Sequence, residues 1–248
     1  MGAAIARRMA DQYHIILHYH RSVDETEKLA VELRVQGAGV TLWQQDLCAP
    51  DLAQNFQELM RRTRPIDILV NNAAVFYPDR DRVGEVTPEL YQEIMMVNCW
   101  APFCLMQEFA KQADEQTSAC TGPRIRHSRS RGADEGNIIN ILDQRVLNIS
   151  HAFPVYTASK SALWALTKNM ALALAPRIRV NAIAPGHVLP SVGESENTFR
   201  VRQMKTPLGI GPTPEAIAET ISMILNSPSM TGACIPLDGG EHLVAKRK

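Results

Sequence analysis

The chain has no stretch approaching the roughly 18 consecutive apolar residues of a membrane-spanning helix. Its most apolar helical run, "SALWALTKNMALALA", is broken by Lys168 and Asn169. The start, "MGAAIARR", has no apolar signal core, and Ala6 stands where an N-myristoylation motif requires Ser or Thr. There is no excess of charge: 26 Lys plus Arg face 26 Asp plus Glu. Nothing global therefore draws the chain to nucleic acid or to an anionic membrane, and a small-molecule partner is expected. The five cysteines (Cys48, Cys99, Cys104, Cys120, Cys234) are odd in number and contain no CxxC pair. This argues against a disulfide framework or a zinc site and for a reducing, cytoplasmic setting without a bound metal. Cys99 and Cys104 are expected to be buried apolar residues.

What is present is a βα rhythm. With 248 residues, of which 45% are hydrophobic, the chain can bury one large core, so residues 1–248 are expected to form a single domain. Strand candidates are 14–19 (HIILHY), 39–45 (GVTLWQQ), 66–72 (IDILVNN), 137–143 (NIINILD), 178–184 (IRVNAIA) and 233–238 (ACIPLD). Several are near-continuous apolar runs, as strands covered by helices on both faces must be. Between them, Ser22 with Glu25 spells a capping box for a helix that Gly37 closes, and Thr87-Pro88 and Thr213-Pro214 spell two more helix starts. The pattern predicts a doubly wound, parallel α/β fold of the Rossmann type. Two segments depart from it. Residues 112–136 are polar and poor in large apolar side chains, and are expected to form an exposed insertion; "RIRHSRSR" inside it leaves a nucleic-acid arm as the alternative, though acids flank it and no aromatics interleave. Residues 187–212 read as a long loop leaving a strand's carboxyl end, the edge where open α/β sheets bind ligands.

Tyr156 and Lys160 lie one helical turn apart and share a face. A phenol titrates near a pKa of about 10, and a neighbouring ammonium favours the phenolate, so the pair can act as an acid at neutral pH. By itself a Tyr and Lys at this spacing is equally an ordinary helix face. Four further features occur with it in order: NNAA at 71–74 ending a strand, Asn98 on the following helix, Asp143 thirteen residues before Tyr156, and Pro185-Gly186 after VNAIA. On these motifs the sequence resembles the short-chain dehydrogenase/reductase family over nearly its whole length. The resemblance implies an NAD(P)-dependent oxidoreductase, with Tyr156 as proton donor, Lys160 holding the nicotinamide ribose and lowering the Tyr156 pKa, and Asn98 supporting a water relay. Asn72, Ala73, Pro185 and Gly186 would line the cofactor.

Most members of that family carry Ser where this chain has Asp143. A hydroxyl can donate to a substrate carbonyl, whereas an ionised carboxylate only accepts. The subgroup resembled is the pteridine and dihydromonapterin reductases, which implies a nitrogen heterocycle whose N–H groups Asp143 would satisfy. "HYHRS" (18–22) is similar to the same subgroup: Arg21 would pair with the 2′-phosphate of NADPH, with Ser22 beside it at a helix N-terminus, against the plain reading of Arg21 as a surface charge. Phe76, in NNAAVFYPD, matches an aromatic that stacks a pterin against the nicotinamide, the other reading being a core Phe; Ala74 replaces a Ser often found there. Asp46 resembles the adenine-contacting acid of the family, or else caps a helix. A homotetramer packed through the helix from Val155 to Ala173 is implied by likeness.

The family's Gly-rich fingerprint is matched only at Gly2 and the helix after it. We therefore expect roughly 15 to 30 further residues upstream of Met1, an apolar strand and a Gly-rich turn, lying between the strands at 14–19 and 66–72. Without them, the 248-residue chain should bind NADPH poorly and tend to aggregate. The expected activity is NADPH-dependent reduction of a dihydropterin (dihydromonapterin, dihydrobiopterin or dihydrofolate type). The alternatives are a carbonyl reductase such as a 3-oxoacyl reductase, disfavoured by Asp143 and Phe76, or a non-catalytic protein of the same fold.

Overall fold

The computed structural model describes residues 1–63, 65–119, 136–191 and 193–244, without the side chains of 113–119. Its elements run α1 (Gly2–Met9), β1 (Ile15–Tyr19), α2 (Val23–Val35), β2 (Val40–Gln44), α3 (Leu52–Arg62), β3 (Ile68–Asn71), α4 (Pro88–Met95), α5 (Ala101–Ala119), β4 (Gly136–Ile141), α6 (Pro154–Leu174), β5 (Ile178–Pro185), α7 (Glu196–Met204), α8 (Pro214–Leu225) and β6 (Cys234–Leu237). Every strand candidate read from the sequence coincides with one of these strands to within two residues.

The apolar runs are double-faced for the reason anticipated. Successive side chains of a strand point to opposite faces. In β4 and β5, Ile138, Ile178, Val180, Ala182 and Ala184 join a core with Phe56 of α3, Met106 and Phe109 of α5 and Leu163 of α6. The alternate residues Ile139, Ile141 and Ile183 join a second core with Ile5 and Met9 of α1 and Ile217, Ile221 and Ile224 of α8. Helices thus cover both faces, and all eight residues of β5 are buried. Each fully buried Ile or Leu contributes about 2 kcal/mol of transfer free energy. The one charged side chain in β5, Arg179, is 5% exposed and donates to the carbonyls of Ile224, Leu225, Ser227 and Met230, tying the end of α8 to the sheet.

Pairing is parallel throughout, in two groups: β1 with β2, and β3-β4-β5-β6. Between β1 and β3 there is no ladder. Ile15 and Leu17 face Ile68 and Val70 across a cavity of about 1020 Å³ that also reaches Gly2 and Asn72. β1 and β3 therefore border one slot, and among the described residues nothing pairs with their facing edges.

Several local expectations need correction. Ser22 precedes α2, but its side chain makes no capping bond; instead the Thr26 hydroxyl donates to the Ser22 carbonyl at 2.6 Å. Of the insertion expected at 112–136, residues 112–119 continue α5 as helix, and 120–135, with the RIRHSRSR stretch, lie outside the described residues. The segment 187–212 contains α7, whose Ser195 hydroxyl accepts from Thr198 N at 3.2 Å, a cap the apolar pattern could not announce because no residue of α7 is buried. Cys99 is half-buried while Cys104 is buried as expected; the cysteines among the described residues are unpaired. Thr87 and Thr213 do cap α4 and α8, and Gly37 takes a left-handed φ of 91° after α2. No described helix is long and apolar enough to cross a membrane, and no described group of His, Cys, Asp and Glu is arranged to hold a metal.

Candidate active site

At the carboxyl ends of β3, β4 and β5 the chain turns out of the sheet, and the sequence-selected side chains converge there. Asp143 follows β4 and accepts from Arg145 N at 2.9 Å, which fixes its carboxylate. Its other oxygen receives the Tyr156 hydroxyl at 3.2 Å. Lys160, one turn further along α6, is 2% exposed and donates to the Ile141 carbonyl at 2.8 Å, with its ammonium 6.0 Å from the centre of the Tyr156 ring.

This geometry reverses one expectation. The Tyr156 phenol is pushed well above its ordinary pKa, first by burial, then by the negative charge of Asp143 and the hydrogen bond to it; Arg145 opposes the shift weakly. The physical cause is plain: a carboxylate in hydrogen-bond contact prefers a neutral donor. Lys160 is not among the causes acting on the phenol; its own pKa is lowered to about 8, chiefly by burial with Asp143 opposing. The site as folded holds its proton on Tyr156.

Asn98 lies in a π-helical turn, Met96–Trp100, between α4 and α5. The wider turn aims its fully buried amide at the backbone after β3: it accepts from Val75 N at 2.8 Å, donates to Val75 O at 2.9 Å and donates to Ser159 Oγ at 3.2 Å. Ser159 in turn donates to the Tyr156 carbonyl at 2.7 Å. Asn98 therefore splints the β3 exit to α6. Phe76 on that exit is 37% exposed, so it is not a core residue; its ring centre is 4.7 Å from that of Tyr156 and 4.8 Å, edge to face, from that of Phe153. Phe153 sits in the left-handed region at φ 58°, which costs a non-glycine residue on the order of 1–3 kcal/mol. It also carries the Arg145 guanidinium 4.8 Å above its ring.

The residues expected to line a cofactor sit at the start of α1 and at the carboxyl ends of β1, β2, β3 and β5. Gly2 opens α1 against Asn72: a Cβ there would stand 3.1 Å from Asn72 Nδ2. Asn72 Oδ1 is buried without a partner, and Ala73 packs into the core beside it. Pro185 ends β5 and Gly186 follows, so close to Asp238 that a Cβ would meet its Cα at 2.9 Å. Arg21 and Ser22 are exposed at the start of α2. Asp46 accepts from Cys48 N at 2.9 Å and lies 3.8 Å from His20, so it holds the turn after β2, while Asp51 precedes α3.

Three groups were not picked out in the sequence. Arg145 has no motif signal. His187 lies 3.4 Å from Glu241, with its pKa lowered chiefly by burial and next by Arg202. Asp81 is fully buried and accepts from the backbone N–H of Val155 and Tyr156. Asp81 and His187 gain their neighbours from elements far along the chain, so spacing could not have found them.

The chain is similar to known proteins over nearly its whole length. The chain is 27% identical to Pteridine reductase 1 of Leishmania tarentolae, covering 98% of this chain and 93% of that protein. It is 27% identical to the Dihydromonapterin reductase of Enterobacter sp. (strain 638), covering 98% and 92%. The solved structure of FolM Alternative dihydrofolate reductase 1 from Brucella suis in complex with NADP superposes with a TM-score of 0.85 at 33% identity, covering 99% of this chain and 94% of that one. The model of the family described as short chain dehydrogenase matches residues 1–200, the span holding every strand from β1 to β5 and the Tyr156, Lys160, Asp143 and Asn98 cluster, and the chain belongs to that family.

Proposed function

We propose that the chain is an NADPH-dependent reductase of dihydropterins, of the dihydromonapterin, dihydrobiopterin or dihydrofolate type, yielding tetrahydropterins. The observation that carries the reading is that Tyr156 is shared by an accepting Asp143 carboxylate, which takes its hydroxyl, and by the partly exposed Phe76 ring, which packs against its own. A flat heterocycle with N–H donors satisfies both, the ring by offset stacking and the carboxylate by hydrogen bonds, whereas a ketone oxygen satisfies neither. The relatives' names support the same class.

NADPH, when bound, supplies the hydride. The residues present suit it: Asn72 Oδ1 is buried without a partner, Gly186 is close-packed, Lys160 is a buried ammonium, and the exposed Arg21 with Ser22 would offer a phosphate site. The chain's own part in the chemistry concerns the proton. Substrate N–H groups compete with Tyr156 for the Asp143 carboxylate. Binding thus removes one of the causes that hold the phenol proton and frees the hydroxyl to donate toward the substrate nitrogen, directly or through a bound water. Asn98 keeps the Val75 backbone and α6 in register while this happens. Apolar surface left open, including Leu172 of α6 at 83% exposure, suits a homotetramer, and the unpaired cysteines suit the cytoplasm.

The test is NADPH oxidation with dihydropterins beside a panel of ketones and 3-oxoacyl thioesters. Turnover confined to ketones would replace the reading by a carbonyl reductase, and turnover of neither by a non-catalytic role. Within it, Asp143→Ser is expected to weaken dihydropterin turnover more than NADPH binding; equal turnover would remove the reason for choosing pterins. Arg21→Glu is expected to raise the KM for NADPH and leave that for NADH little changed, since only the former carries the 2′-phosphate. Steady-state kinetics with both cofactors reads this, and an unaltered preference returns Arg21 to the surface.

A further inference from the structure

The first N–H groups of an α-helix have no partner within it. At α6, Pro154 has none to offer and Thr157 N already reaches the Phe153 carbonyl at 2.9 Å. That leaves Val155 and Tyr156. α4, α7 and α8 are capped by their own Thr87, Ser195 and Thr213, but Phe153 has no capping side chain. Both free N–H groups go instead to one carboxylate from the loop after β3: Asp81 Oδ1 lies 3.1 Å from Val155 N and Oδ2 lies 2.8 Å from Tyr156 N, across 74 and 75 positions of sequence. Asp81 is 0% exposed, and the partial positive charge of the helix start stabilises its charge. Its own N–H bonds to the Tyr77 carbonyl at 2.9 Å, closing the turn that begins beside Phe76. One buried side chain therefore joins the turn that presents Phe76 to the turn that presents Tyr156.

We propose that Asp81 is the positioning residue of this site: by gripping the first turn of α6 from the Phe76 loop, it sets where the Tyr156 hydroxyl stands relative to Asp143 and to the ring face of Phe76. The kinetic consequence rests on the proposed function; the placement of Tyr156 does not. Released from Asp81, the N–H groups of Val155 and Tyr156 lose their shared acceptor, and the phenol, at the far end of a long side chain, moves most. Misplacement of a reacting group by about 1 Å can cost up to ~100-fold in rate.

The experiment uses the full chain with tyrosine labelled by ¹³C at Cζ, the Tyr156 resonance being assigned by its loss in Tyr156→Phe. Asp81→Ala and Asp81→Asn are compared with Thr213→Ala, which removes an ordinary cap at α8. In the wild type Tyr156 should titrate above the other tyrosines. In Asp81→Ala its midpoint should fall back toward the ordinary value of about 10. With NADPH and dihydropterin, kcat should drop about tenfold or more, while the KM for NADPH changes by less than about twofold. Asp81→Asn keeps one acceptor oxygen and should lie between, and it serves as the test variant if Asp81→Ala does not fold. Thr213→Ala should lower the melting temperature without moving the Tyr156 resonance or kcat. An Asp81 variant that behaves as Thr213→Ala does, losing stability alone, overturns the inference. If the wild type reduces no substrate, the Tyr156 resonance decides alone: a shift in Asp81→Ala sustains the positioning role while the dihydropterin reading fails, and no shift ends both.

Discussion

Tyr156→Phe is expected to lower dihydropterin turnover by about 100-fold or more, the range that positioned general acids supply. The substitution deletes one oxygen. It leaves the ring against Phe76 at 4.7 Å and the Asp81 bond to the backbone N–H at position 156. Binding of NADPH should be nearly unchanged, so the loss belongs in kcat. The pairing of Tyr156 with Asp143 makes the result diagnostic, because in this site the phenol is the proton-bearing partner and the carboxylate the acceptor. Steady-state rates beside a calorimetric titration of NADPH separate chemistry from binding. A near-normal kcat would remove Tyr156 from the mechanism and pass the proton to a bound water.

Lys160→Ala is expected to have an effect of similar size, about 100-fold in kcat, with a raised KM for NADPH. The ammonium is buried at 2% exposure and donates to the Ile141 carbonyl at 2.8 Å, a bond the substitution removes together with the charge. The pH dependence adds a second readout. Burial lowers the Lys160 pKa from 10.5 to about 8, so the charged form that would grip the ribose exists below about 8 and is lost above it. Wild-type turnover should fall as pH rises through about 8. The fall would not report unfolding by this group. With the folded pKa below the unfolded one, the unfolded chain binds more protons between about 8 and 10.5, so the Lys160 term makes the fold more stable as pH rises through that window. In Lys160→Ala the step near 8 should vanish. A step that persists assigns it to another group, and an unchanged rate below pH 8 would show that the charge plays no part.

Strand positions were legible because burial of a strand between two helix layers leaves a local trace. Ile138 with Ile139, and Ala182 with Ile183, face opposite cores, and both sets are apolar. Helix starts at Thr87 and Thr213 were legible for a similar reason: the cap and the group it satisfies lie three residues apart. Ser22 shows where that reasoning stops, since its hydroxyl makes no capping bond and its carbonyl takes the Thr26 hydroxyl instead. The polar run after Lys111 read as an exposed insertion because it lacks apolar residues, yet helix α5 continues to Ala119 through backbone bonds that need none.

By itself, then, the sequence determined the order of strands and helices, the shared face of Tyr156 and Lys160, and the identity of the acid thirteen residues before the Tyr, all of which depend on neighbours within a few turns of chain. The tertiary structure alone decided that the Asp143 carboxylate faces the phenol and raises its pKa, that Lys160 bonds to Ile141 rather than to Tyr156, that Asn98 splints Val75 to Ser159, and that Asp81 holds the start of α6. It also set β1 and β3 on either side of one slot. Each of these is a contact between groups brought together by folding, whose strength depends on distance and on exclusion of water, and neither quantity is encoded in the spacing of residues along the chain.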